Sequence, residues 1–259
     1  MSAEVAGVSL TRDDALFLDF DGTLAELGPS PDAIRLDPET AEALGRLADL
    51  LDGALVLISG RDLRDLAKRT PDGLWRAGGH GLEVLAPGGD VPGAPPGPEA
   101  RLLAPLRAVE AAQPGVRLEL KGPVAALHFR AAPEAEAACL AAAREAAGLV
   151  PGHVWQAGKM VVEVKPETAH KGRALEAMMG RSGFAGRRPV MIGDDTTDED
   201  AIVAAQALGG IGVKIGAGES AARYRMADPA ALGVWLVGEA QRLGDQPKAS
   251  GSEALRRAT

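Results

Sequence analysis

Four apolar residues running into two carboxylates one residue apart constrain this chain more than any other feature. The stretch reads Ala15-Leu16-Phe17-Leu18-Asp19-Phe20-Asp21-Gly22-Thr23-Leu24. An unbroken apolar run of that length, with polar residues before it and Gly22 after, predicts a buried strand. The strand period of two then turns the Asp19 and Asp21 side chains the same way. Two carboxylates crowded at a strand end repel, and burying them unpaired is costly. A hard divalent cation relieves both problems, and Mg²⁺ typically takes one or two carboxylates plus substrate phosphate oxygens. A bare pair of this kind is equally an acidic turn after an N-terminal strand. The rest of the chain must therefore supply partners.

At 259 residues and 46% hydrophobic content the chain can bury a full core, as one large domain or two small ones. A net charge of −8 argues against a nucleic-acid binder, which needs a basic face. It does not exclude an anionic small molecule, because a few local cations and a metal reverse the field inside a cleft. The single cysteine, Cys139, rules out an internal disulfide or a thiolate metal cluster and reads as an apolar filler in an Ala-rich helix. Met1 to Asp14 lacks the apolar core of an export signal, and no run of 18 apolar residues suggests a membrane span. The expectation is a cytoplasmic protein that meets neither membrane nor nucleic acid. A monomer is compatible with this reading.

The N-terminal part alternates strand and helix. After the first strand come a loop with Pro29 and Pro31 and a helix opening after Asp37-Pro38, with apolar residues at 41, 44, 47, 50 and 51. Ala54 to Ile58 is a second strand, Asp62 to Lys68 a helix, and Leu74 to Gly79 a further strand. Pro and Gly crowd residues 87–98, which read as a linker. Then follow a helix over 99–112, strands over 116–121 and 124–130, an Ala-rich helix over 133–147, and strands over 154–156 and 160–164. That order predicts an antiparallel α+β unit. From Pro166 the first pattern returns: a helix over 171–179, a strand over 190–192, a helix over 197–207, a strand over 211–215 and a last helix over 230–243. Alternating βα units imply a parallel sheet with right-handed crossovers. The fold class expected is thus α/β, a Rossmann-like doubly wound core of residues 1–84 and 166–243. An α+β cap (85–165) is inserted into it, and a polar, disordered tail (244–259) follows. Ligands belong at the carboxyl ends of the parallel strands.

Three more signals stand at such ends. Ser59-Gly60-Arg61 follows the second strand, where a hydroxyl and backbone N–H groups can meet a phosphate. Lys171-Gly172 opens a helix, where an ammonium can neutralise a phosphate oxygen and Asp19 together. Taken alone, these two also describe a common turn and a solvated lysine. The last is Val190-Met191-Ile192-Gly193-Asp194-Asp195-Thr196-Thr197-Asp198-Glu199-Asp200. Thr196 with Glu199 predicts a capping box, which accounts for acids at the helix start. It does not account for Asp194 and Asp195, which are placed to complete a metal site with Asp19 and Asp21.

In this order the four signals resemble the haloacid-dehalogenase superfamily of phosphotransferases. In finer detail the chain is similar to trehalose-6-phosphate phosphatases, through Phe17 to Leu24, Ile58 to Arg61, Gly79-His80-Gly81-Leu82-Glu83, Glu119-Leu120-Lys121, Leu127-His128-Phe129-Arg130, Val162 to Pro166, Lys171-Gly172 and Gly193 to Asp200. The loop 167–170 departs from that pattern, with Thr168 where glycine is usual. The resemblance implies hydrolysis of trehalose 6-phosphate through an aspartyl-phosphate. Asp19 is then the nucleophile and Asp21 the general acid and base. Mg²⁺ is held by Asp19, the Asp21 carbonyl and Asp194; Ser59, Gly60 and Lys171 hold phosphate; Asp195 and Asp198 orient the metal ligands. Sugar recognition is expected from Glu119, Lys121 and Glu163 on the cap, with Arg61 and His80 reaching from the core.

Apart from the resemblance, Glu119 and Lys121 also read as an outward-facing charged pair, whereas Glu163 interrupts an apolar run. His128 and Arg130 read as structural. The alternatives are a phosphatase of another sugar phosphate, mannosyl-3-phosphoglycerate or sucrose phosphate, or a non-catalytic sugar-phosphate sensor. The sensor would not need Asp21.

Overall fold

The computed structural model describes residues 7–28 and 34–247. The loop expected around Pro29 and Pro31 and residues 248–259 of the expected tail lie outside these. The strand ending at Asp19 is Asp14–Leu18 (β1), buried throughout. It is followed by Pro38–Leu50 (α1), Leu55–Ile58 (β2), Leu63–Arg69 (α2), Trp75–Gly78 (β3) and Glu83–Leu85 (β4). Asp37 caps α1, accepting from the N–H groups of Glu39 and Thr40, and Pro38 occupies the first turn, where its missing N–H is harmless. After the cap come Lys171–Met179 (α5), Arg188–Gly193 (β9), Thr196–Ala207 (α6), Ile211–Ile215 (β10), Tyr224–Met226 (β11) and Pro229–Asp245 (α7). The last helix runs two residues into the stretch expected to be tail.

These strands form one seven-stranded sheet in the order β11-β10-β9-β1-β2-β3-β4. Every pair is parallel except β3 with the edge strand β4. The chain moves from β1 towards β2 in one direction and from β9 towards β10 in the other. Right-handed crossovers therefore put α1 and α6 on opposite faces, α1 packing with α7 and α6 with α5. The reversal lies between β9, β1 and β2, so the ends of these three strands border one crevice.

The intervening segment is Ala100–Ala112 (α3), Arg117–Lys121 (β5), Val124–His128 (β6), Glu136–Leu149 (α4), His153–Gly158 (β7) and Val161–Pro166 (β8). Its four strands form a separate antiparallel sheet, β5-β6-β8-β7. Ala125, Leu127, Val162 and Val164 point to one face and join Leu102, Leu106, Cys139 and Ala143 of the helices in a second apolar core. Strand alternation sends Glu119, Lys121, His128, Glu163 and Gln156 to the other face. No helix among the described residues is long and apolar enough to cross a membrane.

Candidate active site

Asp19 follows β1 directly, buried, its N–H bonded to the carbonyl of Ile192 on β9. Lys171, the first residue of α5, reaches it: Nζ donates to Asp19 Oδ1 at 2.7 Å and to Asp198 Oδ1 at 2.6 Å. Gly172 lets α5 come this close to α6, since a Cβ there would lie 2.8 Å from the Asp200 carbonyl. Asp198 is fully buried and its second oxygen accepts from the N–H groups of Asp194 and Asp195. It caps α6 together with Asp195. The expected box of Thr196 and Glu199 is thus displaced by one residue, because Asp198 is drawn inward to Lys171 while the Glu199 carboxylate is turned towards Lys214, Ser220 and Ala221.

Asp194, at the end of β9, accepts from Thr23 Oγ1 at 3.0 Å. Gly22 turns the chain past it with φ of 83°, and a Cβ at that position would lie 2.3 Å from the Asp194 carboxylate. Only glycine permits both. Oxygens of Asp19, Asp194 and Asp198 lie within 4.8 Å of one another. Burial first, then the Asp198 charge, pushes the Asp19 carboxyl well above the carboxylate range, although Lys171 opposes it. The same two causes push Asp194 up to about 6, against the Thr23 hydrogen bond and Lys171. One ammonium thus faces three carboxylates, and the cluster is short of positive charge. Both Asp198 oxygens already accept hydrogen bonds, so Asp19 and Asp194 are the donors open to a hard cation, and their oxygen chemistry fits Mg²⁺. The Asp21 side chain is not part of this cluster.

Asp21 instead pairs with Arg61, which donates Nε at 2.7 Å and Nη2 at 2.5 Å to its two oxygens. The third arm of Arg61 reaches Asp65 at 2.6 Å, and the guanidinium lies over the Phe20 ring. Arg61 is therefore built into the floor beside Asp21 rather than held open for a sugar. Ser59 Oγ, buried at the end of β2, accepts from the N–H of Arg61. His80 lies in a 3-10 turn after β3 with φ of 58°, uncommon for a residue with a side chain. That turn is tied to the Ser59 loop by His80 N–H to Ser59 O and Gly79 N–H to Arg61 O. His80 Nε2 meets Glu163 Oε2 at 2.8 Å, joining core to cap, while Nδ1 is buried without a partner among the described residues. Burial lowers the His80 pKa, so the ring is neutral and donates Nε2–H. Burial would raise the Glu163 carboxyl, but His80, Lys121 and Lys165 outweigh it and keep it ionised.

On the cap, His128 Nε2 lies 2.7 Å from Glu119 Oε2, and Lys121 Nζ is 3.4 Å from the same oxygen. The His128 contact, against burial, takes Glu119 down to about 2. Strand register sets Glu119, Ala126, Glu163 and Gln156 in one row across the sheet. This face and the core strand ends enclose a cleft of about 620 Å³. It is lined by Asp19, Asp21, Ser59, Gly60, Arg61, His80, Glu119, Lys121, Glu163, Lys171 and Asp195. Asp194 and Asp198 stand behind that lining. His128 and Arg130, read from sequence as structural, also line it, as does Gln156. For His128 and Gln156, a place on the Glu119 face follows from strand alternation once the register is known, whereas Arg130 lies in the turn two residues beyond β6.

A doubly wound sheet with an inserted cap, carboxylates after β1 and β9 and a buried lysine between them, defines a haloacid-dehalogenase-like phosphatase. The haloacid dehalogenase-like hydrolase of Bacteroides thetaiotaomicron superposes with a TM-score of 0.60 at 18% identity, over 89% of this chain and 99% of that one. The C-terminal domain of the C. albicans trehalose-6-phosphate phosphatase gives 0.76 at 19%, over 93% and 99%. The trehalose-phosphatase family model matches residues 17–230. The trehalose-6-phosphate phosphatase of Escherichia coli (strain K12) is 40% identical over 230 residues, 88% of this chain and 86% of that protein. The chain belongs to the trehalose-phosphatase family of phosphoric monoester hydrolases.

Proposed function

We propose that this enzyme hydrolyses trehalose 6-phosphate to trehalose and phosphate through an aspartyl-phosphate on Asp19. The observation that carries the reading is one cleft lined both by the Asp19–Lys171 pair and by Glu119, Lys121 and Glu163 of the cap, in a chain of this family. Core residues 1–84 and 166–243 supply the chemistry in this account, and cap residues 85–165 read the sugar. A cytoplasmic setting belongs to the same proposal.

The free Asp19 oxygen attacks phosphorus while Lys171 holds the other and fixes the carboxylate plane. Ser59, Gly60 and Lys171 bind the non-bridging oxygens. Asp21, leaving the Arg61 fork, protonates the departing sugar oxygen and afterwards takes a proton from the water that cleaves the acyl phosphate. Asp19, Asp194 and the Asp21 carbonyl would hold Mg²⁺, which when bound offsets the charges of carboxylate and phosphate. Asp195 and Asp198 hold the loop that carries Asp194. Glu119, Lys121 and Glu163 would meet the sugar hydroxyls, where ionised groups make the stronger hydrogen bonds; neutral His80 orients Glu163, and Arg61 reaches the sugar only once Asp21 has left its fork.

Chelating divalent metal should stop phosphate release from trehalose 6-phosphate. Mg²⁺ should restore it better than Ca²⁺, which takes more ligands at longer bonds and would tend to engage both Asp19 oxygens, turning them away from phosphorus. Full activity in chelator contradicts the role given to Asp194. Asp21→Asn keeps the shape and the carbonyl but transfers no proton. Its kcat should collapse while calorimetry still records substrate binding, and normal turnover would move acid–base catalysis elsewhere.

A further inference from the structure

Lys214 on β10 is a buried cation with no part in the steps above. It pairs in register with Gly193 of β9, and its Nζ donates to the main-chain carbonyl of Asp194 at 2.5 Å. Its charge faces Glu199 Oε1 on α6 at 3.4 Å. The other oxygen of Glu199 accepts from Ser220 Oγ at 3.1 Å and Ala221 N–H at 2.9 Å, beyond β10.

A buried ammonium is retained only where it is paired. The shortest contact of this one is to a peptide carbonyl, on the residue whose carboxylate faces Asp19. Asp194 is thereby held at three points, from α6, β10 and the turn after β1. Its N–H is bonded to Asp198, its carboxylate to Thr23 and its carbonyl to Lys214. Outer contacts of this kind aim a ligand at its metal.

We propose that Lys214 is a positioning residue for the divalent-cation site, fixing the Asp194 peptide so that its carboxylate is presented beside Asp19. The proposal rests on the reading that these two carboxylates hold a cation. Charge and position predict opposite signs. A lysine near a cation site repels the cation, so charge alone makes its removal tighten binding. Loss of positioning weakens it.

The test is Mn²⁺ and Mg²⁺ titration calorimetry on the full chain, with thermal melting alongside. Lys214→Met should weaken cation binding roughly tenfold or more, the range seen when such outer partners are removed. Lys214→Gln and Glu199→Gln, which respectively shorten the donor and slacken its anchor, should shift it less and in the same direction. A lowered melting temperature with unchanged affinity, or tighter binding, overturns the proposal. Should Lys214→Met fail to fold, unchanged affinity in both milder variants overturns it equally. Wild type that takes up neither cation refutes the metal reading, and the proposal with it. Wild type that binds as well as all three variants do refutes the proposal alone.

Discussion

Asp19→Asn is expected to lower kcat by at least ~10³-fold, the order seen when an essential group is removed, while the melting temperature of the metal-free protein rises. An amide is a poor nucleophile towards phosphorus, which explains the first effect. The second follows from the sign of the pKa shift. Asp19 is buried beside Asp198 and its folded pKa is raised, so its charged form is disfavoured in the fold. Stability is therefore lost as pH rises from the unfolded carboxylate value to the raised folded one, and a neutral isostere removes that penalty. Active sites commonly carry such strain. Activity above a tenth of wild type would sink the nucleophile assignment. A collapse in melting temperature would show that the Lys171 pair is a structural bond first.

Glu163→Ala is expected to reduce kcat/KM for trehalose 6-phosphate by roughly 10²-fold, since a hydrogen bond to a charged group contributes about 1.5–3 kcal/mol. Hydrolysis of p-nitrophenyl phosphate should change little, because that ester has no second ring to reach the cap. The variant also leaves both nitrogens of His80 without a protein partner, so some loss of melting temperature should accompany it. Loss of both activities together would mean that the His80–Glu163 contact, through the Ser59 loop, serves phosphate binding rather than the sugar.

The long elements and the strand ends that carry the candidate acids were legible because each had its own local signal. Lys171–Met179 and Ile211–Ile215 begin and end where the apolar pattern places them. The strand ends bearing Asp19, Ser59 and Asp194 follow from apolar runs that stop at polar residues. The edge strands β4 and β11 are three residues each, too short to show a period, and were not anticipated. The α6 cap moved from Thr196 to Asp195 because the choice between neighbouring boxes depends on Lys171, which approaches from a distant part of the chain. The same is true of Arg61, whose fork is taken by Asp21 and Asp65, and of Lys214, which reads as one polar residue in an apolar strand until β9 is set beside it. Strand register brought His128 and Gln156 into the cleft, and the turn after β6 brought Arg130.

The proposed activity joins phosphoryl transfer at Asp19 to recognition of a disaccharide by the cap within one cleft. Sites built to bond hydroxyls discriminate strongly against analogues that leave them unpaired. The most direct test measures phosphate release, with Mg²⁺, from trehalose 6-phosphate, glucose 6-phosphate, sucrose phosphate and mannosyl-3-phosphoglycerate. The kcat/KM for trehalose 6-phosphate is expected to lie orders of magnitude above the other three. Equal rates on trehalose 6-phosphate and glucose 6-phosphate, or a preference for one of the other two, would contradict it.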